Sequence, residues 1–302
     1  MNVLNQPLLE AVPNISEGQD QATLDAIGHA FTARDCSLLD VHSDPDYGRT
    51  VLTLLGRPQP LGDALAHGVR ETVERLDIRT YRGAHPCIGV VDVVPIVYLR
   101  AEDRDTARGE ALAVGNRLAG ELELPVFLYG ELAATPERRE RAHFREGGPA
   151  QLADRLASRE LVPDFGPPHL HPTAGATLIA ARPPLVAFNI ELGTADLDAA
   201  KAIAARVREQ GGGLPGVRAI GVRLERQEAV HISTNVHDPF EVPLRRLVER
   251  VRVEAERDGV TVEGAELVGL APREALEGFP KDVPLRGFDP GRHLLENRLR
   301  SM

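Results

Sequence analysis

The chain has 302 residues, and 35 Lys and Arg against 45 Asp and Glu give a formal net charge of −10. That balance argues against a nucleic-acid binder, which carries a basic face or stripe. No run approaches the roughly 18 apolar residues of a membrane span, and the first residues lack the basic-then-apolar pattern of a secretory signal. Cys36 and Cys87 are the only cysteines, too few for a disulfide framework or a structural zinc site, so the expected compartment is the cytoplasm. Length over roughly 150 residues per domain gives two compact units. Lys201 and Lys281 apart, every cationic side chain is Arg, so an anion site here must use guanidinium forks, which suit carboxylates.

In chain order, Leu9–Pro13 reads as a short strand, followed by Ser16-Glu17-Gly18 and a helix over Thr23–Arg34 with Leu24, Ile27, Ala30 and Phe31 on one face. Cys36–His42 and Arg49–Leu55 read as strands around a turn rich in Asp, Pro and Gly, whose carboxylates are expected to form the turn and face water. Pro60–Leu76 is a helix, Arg82–Gly89 is irregular, and Val90–Leu99 is an apolar strand. Thr106–Leu122 is amphipathic, and Pro125–Tyr129 is a strand. The second half repeats the rhythm. Pro184–Leu192 is a strand, and Ala195–Glu209 is a helix capped by Thr194 and ended by Gly211-Gly212-Gly213. Val217–Glu225 and Ala229–Val236 form a hairpin, Pro243–Glu256 is a helix and Val260–Val268 a strand. The order is βαββαβ, which predicts an α+β protein of two related ferredoxin-like subdomains, 1–178 and 179–302, with a cleft between them. The tail after Pro272 is expected to wrap the body.

Three segments have the makings of a site. His85 lies in Arg82–Gly89, where two glycines and a proline stiffen a loop leading into a strand. It either relays protons near neutral pH or merely binds loop backbone. The stretch Gly166-Pro167-Pro168-His169-Leu170-His171-Pro172-Thr173-Ala174-Gly175 is too long for a tight turn, and reads either as a linker or as the wall of a ligand cleft. Its His-Leu-His pair has no supporting carboxylate nearby, so no metal is expected. Asp92, inside an apolar strand, must be paired or catalytic, because an unpaired buried charge is expensive.

Taken in order, Val12-Pro13-Asn14-Ile15-Ser16-Glu17-Gly18, Asp44–Val51, His85-Pro86-x-x-Gly89 and Asp92-Val93-Val94-Pro95 resemble the tetrahydrofolate-dependent glutamate formimidoyltransferase family. So do Pro125–Tyr129, Pro163–Pro167, His171–Thr177 with Ala181-Arg182, Phe188-Asn189-Ile190, Ser233-Thr234-Asn235 and Val268–Pro272. The resemblance spans nearly the whole chain. It implies transfer of the formimidoyl group from N-formimidoyl-L-glutamate to N5 of tetrahydrofolate, with release of glutamate, a step of histidine breakdown that feeds one-carbon metabolism. It puts the catalytic histidine at His85 and the folate contacts at Gly166–Gly175, with tetrahydrofolate as co-substrate. Arg49, Arg82 and Arg182 are the candidates for substrate carboxylates, and Asp92 for the cationic amidine or for orienting His85. No nucleic acid or membrane partner is implied, and a homodimer is compatible. A cyclodeaminase domain follows in many animal relatives; the chain stopping at Met302, only the transferase is expected.

The chain departs from the family pattern at Ala84, where an acidic residue is common, and at Cys87, where Arg is common. Gly48 stands where Asn is usual, and Glu191 replaces Asn. Three further readings stay open: a formyltransferase using N-formylglutamate on the same scaffold, a folate-binding protein without turnover, and a His-liganded metallohydrolase built on His85, His169 and His171.

Overall fold

The computed structural model describes residues 7–32 and 35–300. Arg34, the expected end of the first helix, and residues 1–6 of the stretch read for a targeting signal lie outside them. By internal contacts the chain divides into Met1–Pro183 and Pro184–Met302. The break expected at 178/179 would cut a strand, Thr177–Arg182, that hydrogen-bonds into the first unit's sheet. No helix among the described residues is long and apolar enough to cross a membrane.

The first unit holds a seven-stranded sheet. Its elements in chain order are β1 (Leu9–Ala11), β2 (Asn14–Ile15), α1 (Gln21–Phe31), β3 (Ser37–Asp44), β4 (Arg49–Gly56), α2 (Pro58–Arg75), β5 (Val91–Tyr98), α3 (Arg104–Leu122), β6 (Val126–Leu128), α4 (Arg141–Arg145), α5 (Gly148–Ala157) and β7 (Thr177–Arg182). β1 and β2 are one interrupted strand, because Pro13 between them has no N–H to donate to the ladder. Across the sheet the order is β3, β4, β1 with β2, β5, β7, β6. The first four positions pair antiparallel, whereas β7 runs parallel to both β5 and β6.

Strand alternation sends Leu52 and Leu54 of β4 and Val94 and Ile96 of β5 into a core shared with Ile27 and Phe31 of α1, Leu61 and Leu65 of α2 and Val114 and Leu118 of α3. α1 starts where Asp20 accepts a hydrogen bond from the Thr23 N–H. Gly68 lets α2 approach the Phe31 ring, which a Cβ would meet at 2.2 Å. The opposite face carries Val93, Phe127, Leu178 and Ala180, packed against Phe144, Leu152 and Leu156 of the two helices α4 and α5. Those helices were not anticipated: α4 has only five residues, too few to show a 3.6-residue period.

The second unit follows the expected order more closely. It comprises β8 (Val186–Leu192), α6 (Leu197–Val207), β9 (Val217–Leu224), β10 (Ala229–Val236), α7 (Leu244–Glu256) and β11 (Val262–Val268). Both helices pack their buried faces on one side of the sheet, onto Val186, Phe188, Ile190, Val230 and Ile232. The helix cap is Asp196, whose carboxylate accepts from Asp198 and Ala199 N–H, in place of Thr194, which instead accepts from Asp196 N–H. The tail adds β12 (Leu285–Arg286), parallel to β11, and the short helices α8 (Pro290–His293) and α9 (Leu295–Arg300).

One contact seats the functional segments. Gly89 and Gly175 bridge antiparallel, Val90 N–H donates to Ala174 O and Ala176 N–H to Ile88 O. A Cβ on Gly89 would lie 2.0 Å from Ala176 O, and one on Gly175 (φ +75°) 2.3 Å from Ile88 O. Gly89→Ala is therefore expected to cost about 1–3 kcal/mol through forced separation. Gly120→Ala, in exposed α3 with open space around the new methyl, should instead stabilise by about 0.5–1 kcal/mol. Urea unfolding of the two variants measures both; equal effects would show that the bridge is slack.

Candidate active site

His85 projects from a loop held by two neighbouring segments. Ala84 N–H donates to Asp46 O (3.0 Å) and His85 N–H to Tyr47 O (3.3 Å). The Tyr81 hydroxyl sits within bonding distance of Tyr47 O (2.9 Å) and His85 O (2.8 Å). Gly48, at φ +62°, closes the β3–β4 turn beneath this loop, and a Cβ there would fall 2.5 Å from the Gly83 Cα. That close approach, together with the positive φ, is what Gly48 permits. The Asp44 carboxylate forms the turn as expected, accepting from Asp46 and Tyr47 N–H (2.8 Å each). Asp46, expected in water, is buried because the His85 loop packs over it.

The centre of the site is Asp92, which is 0% exposed. Its Oδ1 accepts from Ile88 N–H (3.1 Å). Its Oδ2 accepts from Arg49 Nη1 (3.1 Å) and from Arg145 Nη2 (2.5 Å). Burial works against the Asp92 charge, but Arg145, Arg49 and the hydrogen bonds outweigh it and hold the carboxyl below its usual range. Arg49 is itself buried; Nε and Nη2 both donate to Asn14 Oδ1 (2.8 and 2.6 Å). Its Nη1 also lies 2.7 Å from His85 Nδ1. One side chain thus links strands β2, β4 and β5 to the imidazole.

His85 Nδ1 has a second neighbour, the Pro86 carbonyl at 2.8 Å. A guanidinium can only donate and a carbonyl only accept, so the neutral ring uses one at a time. Bonded to Pro86 O, Nδ1 carries the hydrogen and Nε2 holds the lone pair. Bonded to Arg49, Nε2 carries the hydrogen. Among the described residues Nε2 has no protein partner. Burial, then Arg49 and Arg145, with Arg141, hold this imidazole well below its ordinary pKa. It is neutral at pH 7.

The sequence candidates fall into three groups. Arg49, His85 and Asp92 form one network. The segment Gly166–Gly175 meets the end of the His85 loop only at its own C-terminal end, through the Gly89–Gly175 bridge, and Ile78 N–H donates to Thr173 O (2.8 Å). Within it, His171 Nδ1 accepts from Ala174 N–H (2.9 Å), so this ring shapes its own turn. His169 is exposed and turned to Leu170 O, and Gly166 (φ +87°) lies against Leu124 O. Arg82 stands apart: it is exposed and donates to Arg79 O and Tyr81 O. Arg182, at the end of β7, lies beside Glu10 and bonds Tyr129. Burial pushes the Glu10 carboxyl up to about 7 against the pull of Arg182. The described residues hold no cluster of three or more His, Cys, Asp or Glu able to bind a metal.

The sequence reading missed Arg141 and Arg145. Both sit on α4, which Phe144 anchors in the core against Phe127 and His143. Their i,i+4 spacing stacks two like charges on one face, which weakens a helix. That unfavourable local pattern was the only signal available.

Asp92→Asn is expected to destabilise the protein by about 3–5 kcal/mol, since it leaves two buried guanidinium groups without their carboxylate. Chemical denaturation measures this; a change under about 1 kcal/mol, the scale of an exposed pair, would show that the network is loosely solvated.

Comparison with known proteins adds the following. Residues 8–182 match the family model described as "Formiminotransferase domain, N-terminal subdomain", and residues 187–279 match "Formiminotransferase domain". The chain is 37% identical to a glutamate formimidoyltransferase of Streptococcus pyogenes serotype M1, over 97% of this chain and 98% of that one. It is 36% identical to a glutamate formimidoyltransferase of Thermoplasma acidophilum, over 97% of each chain. It is 40% identical to the formimidoyltransferase-cyclodeaminase of Mus musculus, over 89% of this chain but only 51% of that protein.

Proposed function

The chain belongs to the formiminotransferase family, and from that membership we propose how its residues carry out the reaction. It moves the formimidoyl group from N-formimidoyl-L-glutamate to N5 of tetrahydrofolate and releases L-glutamate. The observation that carries the residue-level reading is the open Nε2 of a neutral His85, set among three arginines.

As N5 attacks the amidine carbon, a new C–N bond forms and N5 becomes a strongly acidic cation. His85 with its Nδ1 hydrogen on Pro86 O has a lone pair at Nε2, which takes that proton. The resulting imidazolium faces Arg49, Arg145 and Arg141, so it is a strong acid. It returns the proton to the glutamate nitrogen as the old C–N bond breaks. One ring thus serves as base and then as acid. A depressed pKa suits this order: the donor proton is acidic enough for a weak base, and the leaving nitrogen needs a strong acid.

In this reading Asp92 acts through Arg49 and Arg145, since full burial keeps it from the amidine. Arg49 stands beside the imidazole, bonding Nδ1 only when Nε2 carries the hydrogen, and leaves substrate carboxylates to others. Of the three arginines proposed for those carboxylates, Arg182 lies near Glu10, whose carboxyl is pushed up to about 7 and so is only partly charged near neutral pH. Gly166–Gly175 would supply backbone and ring surface to the folate. For fold, both units place their four antiparallel strands in the order 4-1-3-2, with two helices on one face in the second unit, which supports the ferredoxin-like assignment. The first adds β7 and β6. Ala84 and Cys87 flank His85 without a charge, so the imidazole is tuned by burial, by Arg49 and Arg145, and by its bond to Pro86 O. With those neutral positions the formyl donor stays the second reading.

His85→Ala is expected to lower kcat by roughly 10²–10⁴, measured by steady-state turnover with formimidoylglutamate and tetrahydrofolate; unchanged turnover would remove the imidazole from the chemistry. The sign of the pH effect follows from the lowered pKa. Protonation of His85 in the free enzyme occurs only below its ordinary value, so kcat/KM should stay level through pH 6.5 and fall in more acid solution. Arg49→Met should move that acid limb upward; a limb that does not move would rule out the Arg49 contact as its cause.

A further inference from the structure

Arg141 has a charge that nothing near it neutralises. Its guanidinium carbon lies 5.9 Å above the Tyr129 ring, and among the described residues it has no carboxylate partner. The charged groups that reach it are Arg145 and also Arg49 and Arg182, with the Tyr129 ring as the only mitigating neighbour, and burial and this crowding push its pKa down to about 10. Arg145 and Arg49 share the single carboxylate Asp92. Arg138, three positions earlier, is paired with Asp164. Two guanidinium groups, Arg49 and Arg145, thus share one carboxylate and Arg141 on the same short helix has none, in a protein whose overall charge is −10. Two like charges at i,i+4 in a five-residue helix gain nothing locally. Such an arrangement is stabilised when a bound anion completes it.

The position of Arg141 selects which anion. Arg141 stands one helical turn before Arg145 on α4, and Arg145 bonds Asp92, which holds Arg49 against His85, so an anion on Arg141 is placed on the imidazole's side of the network. In N-formimidoylglutamate the α-carboxylate sits on the carbon bonded to the nitrogen that leaves. In tetrahydrofolate the glutamate carboxylates are separated from N5 by the pterin ring, a methylene bridge and the aminobenzoyl group. Only the donor's α-carboxylate can occupy a seat beside His85 while its own C–N bond is being broken.

We propose that Arg141, laid over Tyr129 and left uncompensated by Asp92, binds the α-carboxylate of the formimidoyl donor and so determines specificity for an α-amino-acid leaving group. The proposal rests on the formimidoyl-transfer reading and adds to it the residue that recognises the donor. Arg182, which hydrogen-bonds Tyr129, adds to the same cationic surface.

The test compares N-formimidoyl-L-glutamate with its α-carboxamide counterpart, N-formimidoyl-L-isoglutamine, on the wild type and on Arg141→Met and Arg141→Lys. The wild type is expected to favour the carboxylate donor by roughly 10- to 100-fold in kcat/KM, the range for one charge-assisted hydrogen-bonding contact. Arg141→Met should abolish most of that preference, with the KM for tetrahydrofolate unchanged, and Arg141→Lys should restore part of it. Thermal melts of each variant confirm that it is folded, and the donor comparison on the wild type needs no variant. An Arg141→Met enzyme that keeps the full preference, or a wild type that transfers from both donors equally, overturns the seat while leaving formimidoyl transfer intact. A wild type that transfers from neither donor overturns the functional reading itself.

Discussion

The carboxylate of Asp92 is the constraint on which the site depends. It is fully buried and shared by Arg49 and Arg145. A charge in that position is tolerable only when hydrogen-bonded cations surround it. The cations in turn are fixed by what else they touch: Arg49 by Asn14 on β2, and Arg145 by a short helix whose Phe144 is locked in the core. The charges that act on the imidazole therefore come from a frame of three strands and a helix, while its own loop supplies the Pro86 carbonyl.

That frame explains why an acidic protein can handle dicarboxylate substrates. Long-range charge repels them, but a locally unbalanced group of guanidiniums does not, because screening in water confines the overall charge to about a Debye length. The same imbalance disfavours the protonated form of His85. In the proposed reading, substrate capture and proton relay are two results of one excess of positive charge.

Much of this was legible in the chain. The apolar runs of β4 and β5, the helical faces of α1, α2 and α7, and the repeated βαββαβ order are local patterns and survived folding with shifts of a few residues at their ends. His85 and the Gly166–Gly175 segment were visible as stiff, glycine- and proline-marked stretches. What escaped was short or nonlocal. α4 is too brief for a period, so Arg141 and Arg145 looked like ordinary surface charge. Arg49 looked free for a substrate because nothing nearby in sequence showed that Asn14, 35 positions away, would take two of its donors. Arg82 looked equivalent to it, and folding turned it outward onto backbone carbonyls.

The sequence alone determined which segments become strands and helices, because periodicity and turn chemistry act within a few residues. It also determined the family, because ordered motifs spread along the chain are read without coordinates. Only the tertiary structure decided which arginine is neutralised and which remains available. Charge compensation depends on distances between residues far apart in the chain, and those are set by strand register and by how closely two glycines allow two segments to approach.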